Sequence, residues 1–211
     1  PPPTPSPSLP SNNDLPSVVS EALSHPTREM RVSFRTWPLC HRWLLFALLE
    51  ADESARSDSW RELRERYEAL CPAEEQKPYQ SILIELTEAF VKHTATSIGG
   101  EHVDWIHPNC RDLAIDELTE NPQDRARFLR HCSEVGVQLA SSLAGGPEGE
   151  RQLPLLQTEK DWDALQARAM ELGRSGPSLV FTLSKNLELV ESLAGQEPRL
   201  KAATLRLRKL L

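Results

Sequence analysis

Glycine, aromatic residues and long apolar runs are all scarce in this sequence. It holds 9 glycines in 211 residues and an aromatic fraction of 6%, a balance that favours helices over strands. The longest apolar run, Trp43–Leu49, is far shorter than the roughly 20 residues that cross a bilayer. The proline-rich start of the chain does not resemble a signal peptide. We therefore expect no association with membranes.

Cysteine is also sparse, and its spacing excludes the common disulfide and zinc frameworks. The four cysteines form no C-x-x-C pair, which indicates reduced thiols and a cytoplasmic protein. In Cys40-His41 and His131-Cys132 the two side chains should diverge by about 100° if the segment is helical, so neither pair predicts a cysteine nucleophile. His102, His107 and Cys110 lack the tight paired spacing of zinc sites. We predict no metal site in this chain.

Motifs that carry chemistry are missing as well. There is no G-x-x-x-x-G-K-[ST] phosphate loop, no acidic strand end for magnesium and no G-x-S-x-G nucleophile elbow. The sequence therefore predicts a protein without catalysis and without a cofactor of its own.

Positive charge is in deficit, with a net charge of −7. An acidic surface repels phosphate backbones, which argues against generic binding to nucleic acid. Nor is the expected third helix basic: its candidate DNA-reading residues are Lys77, Gln80, Glu85, Glu88 and Lys92.

Composition divides the chain into four parts. Residues 1–27 form a proline-rich linker or disordered tail, whose alternative role is as a ligand for a proline-binding module. Residues 28–143 form a helical domain with a hairpin, 144–157 a glycine- and proline-rich linker, and 158–211 a C-terminal helical segment. That segment begins with a Thr158–Asp161 capping box. It ends with a basic helix, which either packs its leucines or docks on an acidic partner or nucleic acid.

The fold class is mainly α: a winged-helix domain of three helices plus a β-hairpin, followed by a helical extension. The alternation of polar and apolar residues at Arg31–Arg35 predicts a short strand or an extended entry segment at the start of this domain. Periodicity and capping residues then predict a buried helix after Pro38, helices at Trp60–Leu70 and Pro78–His93, a hairpin turning at Gly99-Gly100, and helices at Pro108–Leu118 and Pro122–Leu143.

The most specific segment is VDWIHPNCRDLAIDEL, residues 103–118. Its His-Pro-x-x-Arg-Asp element resembles the winged-helix region of bacterial STAND-type nucleotidases. Two upstream segments, WPLCHRWLLFALLEAD and QSILIELTEAFVKHT, resemble the first and third winged-helix helices of that class. The likeness covers roughly residues 28–140.

The resemblance implies a regulatory role for this region. In that class the winged helix packs against an upstream ATPase core that binds ATP or ADP, and a histidine approaches the β-phosphate of ADP. His107 is the matching residue, Arg111 a second nucleotide-sensing candidate, and Asp112 and Trp105 candidates for contacts between domains. Plainer interpretations are that His107 only caps a helix and that Arg111 pairs with Asp104 or Glu117.

We therefore expect a non-catalytic regulatory module of a STAND-like signalling or defence NTPase. Its partner would be an upstream ATPase domain in the same or a partner chain, with homo-oligomerisation on activation. The alternatives are a free-standing winged-helix transcription factor and a plain scaffold that oligomerises through its C-terminal helices.

Overall fold

The computed structural model describes residues 28–51, 59–95, 101–145, 151–173, 178–194 and 198–209. The protein is mainly α-helical in these ranges, with ten α-helices and two small antiparallel strand pairs. The proline-rich head, residues 1–27, lies outside them, and so does the Gly99-Gly100 turn. Within the described residues, no helix has the length and apolarity needed to cross a membrane.

The described elements run in chain order from α1 to α10. They are α1 (Arg28–Thr36), α2 (Leu39–Leu48), α3 (Ser59–Leu70), a 3-10 turn (Ala73–Glu75), α4 (Tyr79–Leu86), β1 (Val91–Ala95), β2 (Glu101–Trp105), α5 (Pro108–Glu120), α6 (Pro122–His131), α7 (Glu134–Ala140), β3 (Ala144–Gly145), β4 (Arg151–Gln152), α8 (Glu159–Gly173), α9 (Ser178–Ala194) and α10 (Pro198–Leu207).

The segment Arg31–Arg35 is helical, so the expectation of a strand there was wrong. The alternation of Val32 and Phe34 does not mark two sheet faces, because Val32 is exposed and Phe34 is buried among core rings. In a helix, residues four apart share a face. Arg31 and Arg35 both reach acidic side chains of α5 in this way.

Helix α2 is the centre of the core. All but two of its residues are buried, as its apolar composition predicted. It packs on α3, α4 and α5. Helix α3 adds the apolar stripe Leu63, Tyr67 and Leu70, all almost fully buried.

Helix α4 ends at Leu86, whereas the sequence pattern predicted a helix to His93. Thr87 turns to an extended conformation, and Glu88 follows in the left-handed region at φ 68°. This reversal lets Phe90 and Val91 be buried. The strand therefore starts at Val91 and pairs with β2, from Val91 opposite Trp105 to Ala95 opposite Glu101. The antiparallel pairing of the hairpin was predicted correctly, and its predicted Gly99-Gly100 turn lies outside the described residues.

The predicted helix Pro122–Leu143 is broken into α6 and α7 at Cys132 and Ser133. Cys132 leaves the helical region, and the Ser133 N–H donates to a carboxylate oxygen of Glu50 at 2.6 Å. A buried acceptor from α2's end thus replaces the carbonyl that a continuous helix would have offered. This long-range partner is invisible to helical periodicity.

In the predicted linker, the described residues 144–145 and 151–157 pack more closely than a linker requires. The short β3–β4 pair is followed by Leu153, Leu155 and Leu156, which are all buried. The Thr158–Asp161 capping box is present, because the Asp161 N–H donates to Thr158 Oγ1 and the Thr158 N–H donates to Asp161 Oδ2. Helix α8 packs on α6 and α7, so the C-terminal helices join the same core.

Candidate functional site

The hairpin passes directly into helix α5 through Ile106 and His107. The Ile106 N–H donates to the Phe90 carbonyl at 3.0 Å, which extends the pairing of the hairpin to the junction. His107 is the N-cap residue, and Pro108 occupies the first helical turn. Its extended backbone at φ −149° and ψ 144° is the usual N-cap conformation. The junction is therefore held by backbone geometry on both sides.

One ring nitrogen of His107 is engaged in a hydrogen bond within the junction. Nδ1 accepts from the Asn109 N–H at 3.2 Å, and the residue is exposed. An imidazole nitrogen that accepts a hydrogen bond carries no proton, so the neutral ring holds its proton on Nε2. The cap thus fixes a tautomer that offers an N–H donor at the surface.

The plainer interpretation of His107 as a cap therefore describes the structure, and it is compatible with a second role for Nε2. Cys110 lies beside it, with its backbone N–H donating to the His107 carbonyl at 2.9 Å. Burial raises the pKa of the Cys110 thiol, which keeps it protonated and unreactive.

Arg111 lies one helical turn after His107 and on the same side of α5. It is half-exposed, and no side chain in the described ranges pairs with it. The expected partners are engaged elsewhere: Glu117 binds Arg35 at 2.8 Å, and Asp104 Oδ1 accepts from the Trp105 N–H. Within the described residues, Arg111 is thus a cation without a counter-ion, four residues from the exposed His107.

The two remaining candidates lie on other sides of the junction. Asp112 is exposed and points about 100° around the helix from Arg111. Trp105 is half-buried at the end of β2 and packs against the core. Trp105 therefore serves first to anchor the hairpin, and only part of its ring is available to a partner.

An ionic network holds the opposite side of α5 to α1. Arg31 binds Asp116 at 2.5 Å and Glu120 at 2.8 Å, and Arg35 binds Glu117 and Glu120. The hydrogen bond and charge of Glu117 raise the pKa of Arg35. Exposed pairs of this kind add little stability singly, but several that share carboxylates fix the orientation of the helix. The sequence signal was an Arg pair at i, i+4, which the strand interpretation hid.

A second polar cluster was missed because neighbouring helical side chains were expected to diverge. In α2, Cys40 Sγ lies 3.4 Å from His41 Nδ1, while His41 Nε2 lies 2.7 Å from Glu85 Oε2 in α4. Trp37 stacks on the same imidazole at 4.8 Å. The arrangement resembles a catalytic triad in order only. Cys40 is 1% exposed and His41 fully buried, so no substrate reaches the thiol in this structure.

Metal ligands do not converge in the part of the chain that the structure describes. No group of three or more His, Cys, Asp or Glu side chains there is close enough to hold an ion. His102 lies 4.0 Å from Asp104, away from the capping geometry of His107.

No protein-family model, curated protein or solved structure matches this chain. Function must therefore be argued from the site itself.

Proposed function

We propose that this chain is a regulatory interaction module of a STAND-like signalling or defence NTPase, in which a winged helix with a helical extension clamps an upstream ATPase core. One observation carries the proposal: the exposed His107 at the hairpin–helix junction accepts the Asn109 N–H with Nδ1, which leaves Nε2–H as its donor, and Arg111, with which no described side chain pairs, lies one turn away.

The element order supports the winged-helix interpretation. Helices α2, α3 and α4 precede the β1–β2 hairpin, which is the order of three helices and a wing. Helix α1 is an addition held by the ionic network. The helices after the hairpin make the extension.

The junction suits a diphosphate on a neighbouring domain. The Nε2–H of His107 donates to a phosphate oxygen, and Arg111 supplies positive charge for the same group. A hydrogen bond to a charged oxygen is worth about 1.5–3 kcal/mol. The clamped state is therefore favoured when ADP occupies the core, and a nucleotide that moves the phosphates away releases the module.

The surface of α4 argues against the alternative of a DNA-binding regulator. This helix has eight residues, and it exposes Gln80, Ser81, Ile84 and Glu85. Glu88 and Lys92, two of the candidate readers, lie beyond its end. A recognition helix needs donors and cations towards the phosphates, whereas this face offers an isoleucine and a carboxylate.

A titration of the chain into the separately purified ATPase core tests the proposal. Loaded with ADP, the core should bind the chain at least about tenfold more tightly than when loaded with a non-hydrolysable ATP analogue. Arg111→Ala should remove most of that difference. Asp112→Ala is the matched control and should leave it unchanged. Equal affinity for both loaded cores, or equal effects of the two variants, would refute the nucleotide-dependent clamp.

A further inference from the structure

Two exposed helix faces at distant points of the chain are complementary to each other. The first, which we call the α4 face, consists of Gln80, Ser81, Ile84 and Glu85, with Glu88 following the helix. At 100° per residue these helical positions lie on one continuous side, with Ile84 near its middle. Ile84 is 73% exposed, which makes it an apolar knob with acidic groups beside it.

The second surface, which we call the α10 face, has the same layout with the opposite charge. Lys201, Leu205, Arg208 and Lys209 lie on one side of α10 and its last turn, and Leu205 is 63% exposed. Arg208 is paired with Glu191 of α9 at 2.7 Å. Lys201 and Lys209 have no carboxylate partner within the ranges that the structure describes.

A groove runs beside Leu205 between α9 and α10. It has a volume of about 400 Å³ and is lined by Glu191, Ala194, Lys201, Thr204, Leu205 and Arg208. The space is open to solvent, so an isoleucine side chain can enter it. Lys201 lines it and Lys209 follows on the same side of α10, which places positive charge beside an inserted apolar group.

We propose that two copies of this chain associate head to tail, with Ile84 of one copy in the α9–α10 groove of the next and Glu88 facing Lys201 and Lys209. Neither face covers the other within one chain, because both apolar residues are exposed. A contact between two different surfaces is heterologous, so it repeats and forms open chains or rings. The association needs neither nucleotide nor the proposed ATPase core.

Sedimentation velocity on the full 211-residue chain tests the basic expectation. Over about a hundredfold range of concentration the mean mass should rise beyond a dimer, and high salt should reverse the rise because the flanking charges are screened. Ile84→Asp and Leu205→Asp should each leave a monomer. Val32→Asp, at a 56% exposed apolar residue of α1, is the matched control and should associate like the unmodified chain.

Mixing the two blocked variants gives the sharper result. Ile84→Asp keeps an intact groove and Leu205→Asp keeps an intact knob, so the mixture should form a 1:1 dimer that grows no further. An unmodified chain that stays monomeric at all concentrations would overturn the proposal and would indicate an occupant other than a second copy. An unmodified chain that stops at a dimer, with no association when the two variants are mixed, would also overturn it and would indicate a symmetric interface.

A charge exchange guards against misfolding of the aspartate variants. Glu88→Lys and Lys201→Glu should each weaken association severalfold at low salt, and the double variant should regain it. Failure of the double variant to recover, with far-ultraviolet circular dichroism unchanged, would contradict the pairing. His107→Asn should have no effect on association, which separates this surface from the proposed nucleotide contact.

Discussion

Asp161 and Glu50 are two buried acids that each bind a residue of another part of the chain, and their pKa values are shifted in opposite directions. Asp161 of α8 pairs with Arg125 of α6, with Nε 3.2 Å from Oδ1. Glu50, which follows α2, accepts from the Ser133 N–H with one oxygen, while its Oε1 has no partner within the described residues. Both residues are almost fully removed from solvent.

The cation beside Asp161 decides the difference. Burial alone would raise the pKa of Asp161, but the close Arg125 guanidinium and the hydrogen bonds from Thr158 outweigh it, and the pKa is lowered. For Glu50, burial is the largest effect, the bond from Ser133 and the more distant Arg66 and Arg168 only reduce it, and the pKa is raised. The pKa of a buried carboxyl group is thus lowered when a guanidinium group is buried beside it and raised when none is.

The largest expected effect is that of Asp161→Asn. It leaves Arg125 buried without a counter-charge, although Arg125 still donates to the Thr119 carbonyl at 2.6 Å. We expect a loss of about 3–5 kcal/mol in the free energy of unfolding, measured by urea denaturation at neutral pH. Because the folded pKa is lowered, the charged pair stabilises above the unfolded pKa of about 3.9 and is lost as the pH falls through the folded value. The loss should therefore shrink in acid.

Asp163→Asn is the control, since Asp163 lies two residues away on the exposed side of α8. It should change stability by less than about 0.5 kcal/mol. Equal effects of the two variants would mean that the Arg125 pair has no special weight.

Gly136→Ala tests how tightly Glu50 is enclosed. A Cβ at Gly136 would lie 2.5 Å from Cys132 Cβ and 3.0 Å from Glu50 Cδ. Helix α7 or the carboxyl group must move, at a cost of about 1–3 kcal/mol that thermal unfolding can measure. Gly173→Ala is matched, because nothing lies within 4 Å of its Cβ, and it should be neutral or slightly stabilising. A neutral Gly136→Ala would show that the Glu50 pocket is loose.

The smallest effect, and the one of opposite sign, is expected from Glu50→Gln. The raised folded pKa means that the protonated form is favoured by folding, so the unmodified protein loses stability as the pH rises from about 4.3 through the folded value. Glutamine keeps an acceptor for Ser133 without the charge. We expect the variant to be about 1 kcal/mol more stable at neutral pH, the scale of one poorly satisfied buried group.

The advantage of Glu50→Gln should vanish below about pH 4, where the carboxyl group is protonated in both states. Urea denaturation at several pH values measures it. A variant that is less stable than the unmodified protein at neutral pH would show that Glu50 is ionised and satisfied, as Asp161 is.

Local signals predicted much of the fold because their causes are local. The apolar run of α2, the capping box at Thr158 and Asp161, and the step from the hairpin into Pro108 each follow from nearby residues. The errors arose where a distant partner decides. The segment with Arg31 and Arg35 is helical because both arginines bind acidic residues of α5. Helix α6 ends because the Ser133 N–H donates to Glu50 instead of continuing the helix.

The candidate site divides in the same way. The His-Pro step predicts His107 at a helix start, since proline is favoured there. The sequence could not predict that Arg111 has no partner among the described side chains, because Glu117 binds arginines more than 80 residues away. The His41–Glu85 contact spans 44 residues, and only the packing of α2 on α4 creates it.

The rate at which ADP leaves the complex of this chain with the proposed ATPase core tests the proposed role of His107 most directly. His107→Asn retains an N-cap acceptor but moves the outward donor, whereas His107→Ala also removes the cap, at about 1 kcal/mol. If the imidazole Nε2–H holds the phosphate, both variants should release ADP about tenfold faster or more. If ADP release is unchanged in His107→Asn and faster only in His107→Ala, the ring is a helix cap and the proposed sensor does not exist.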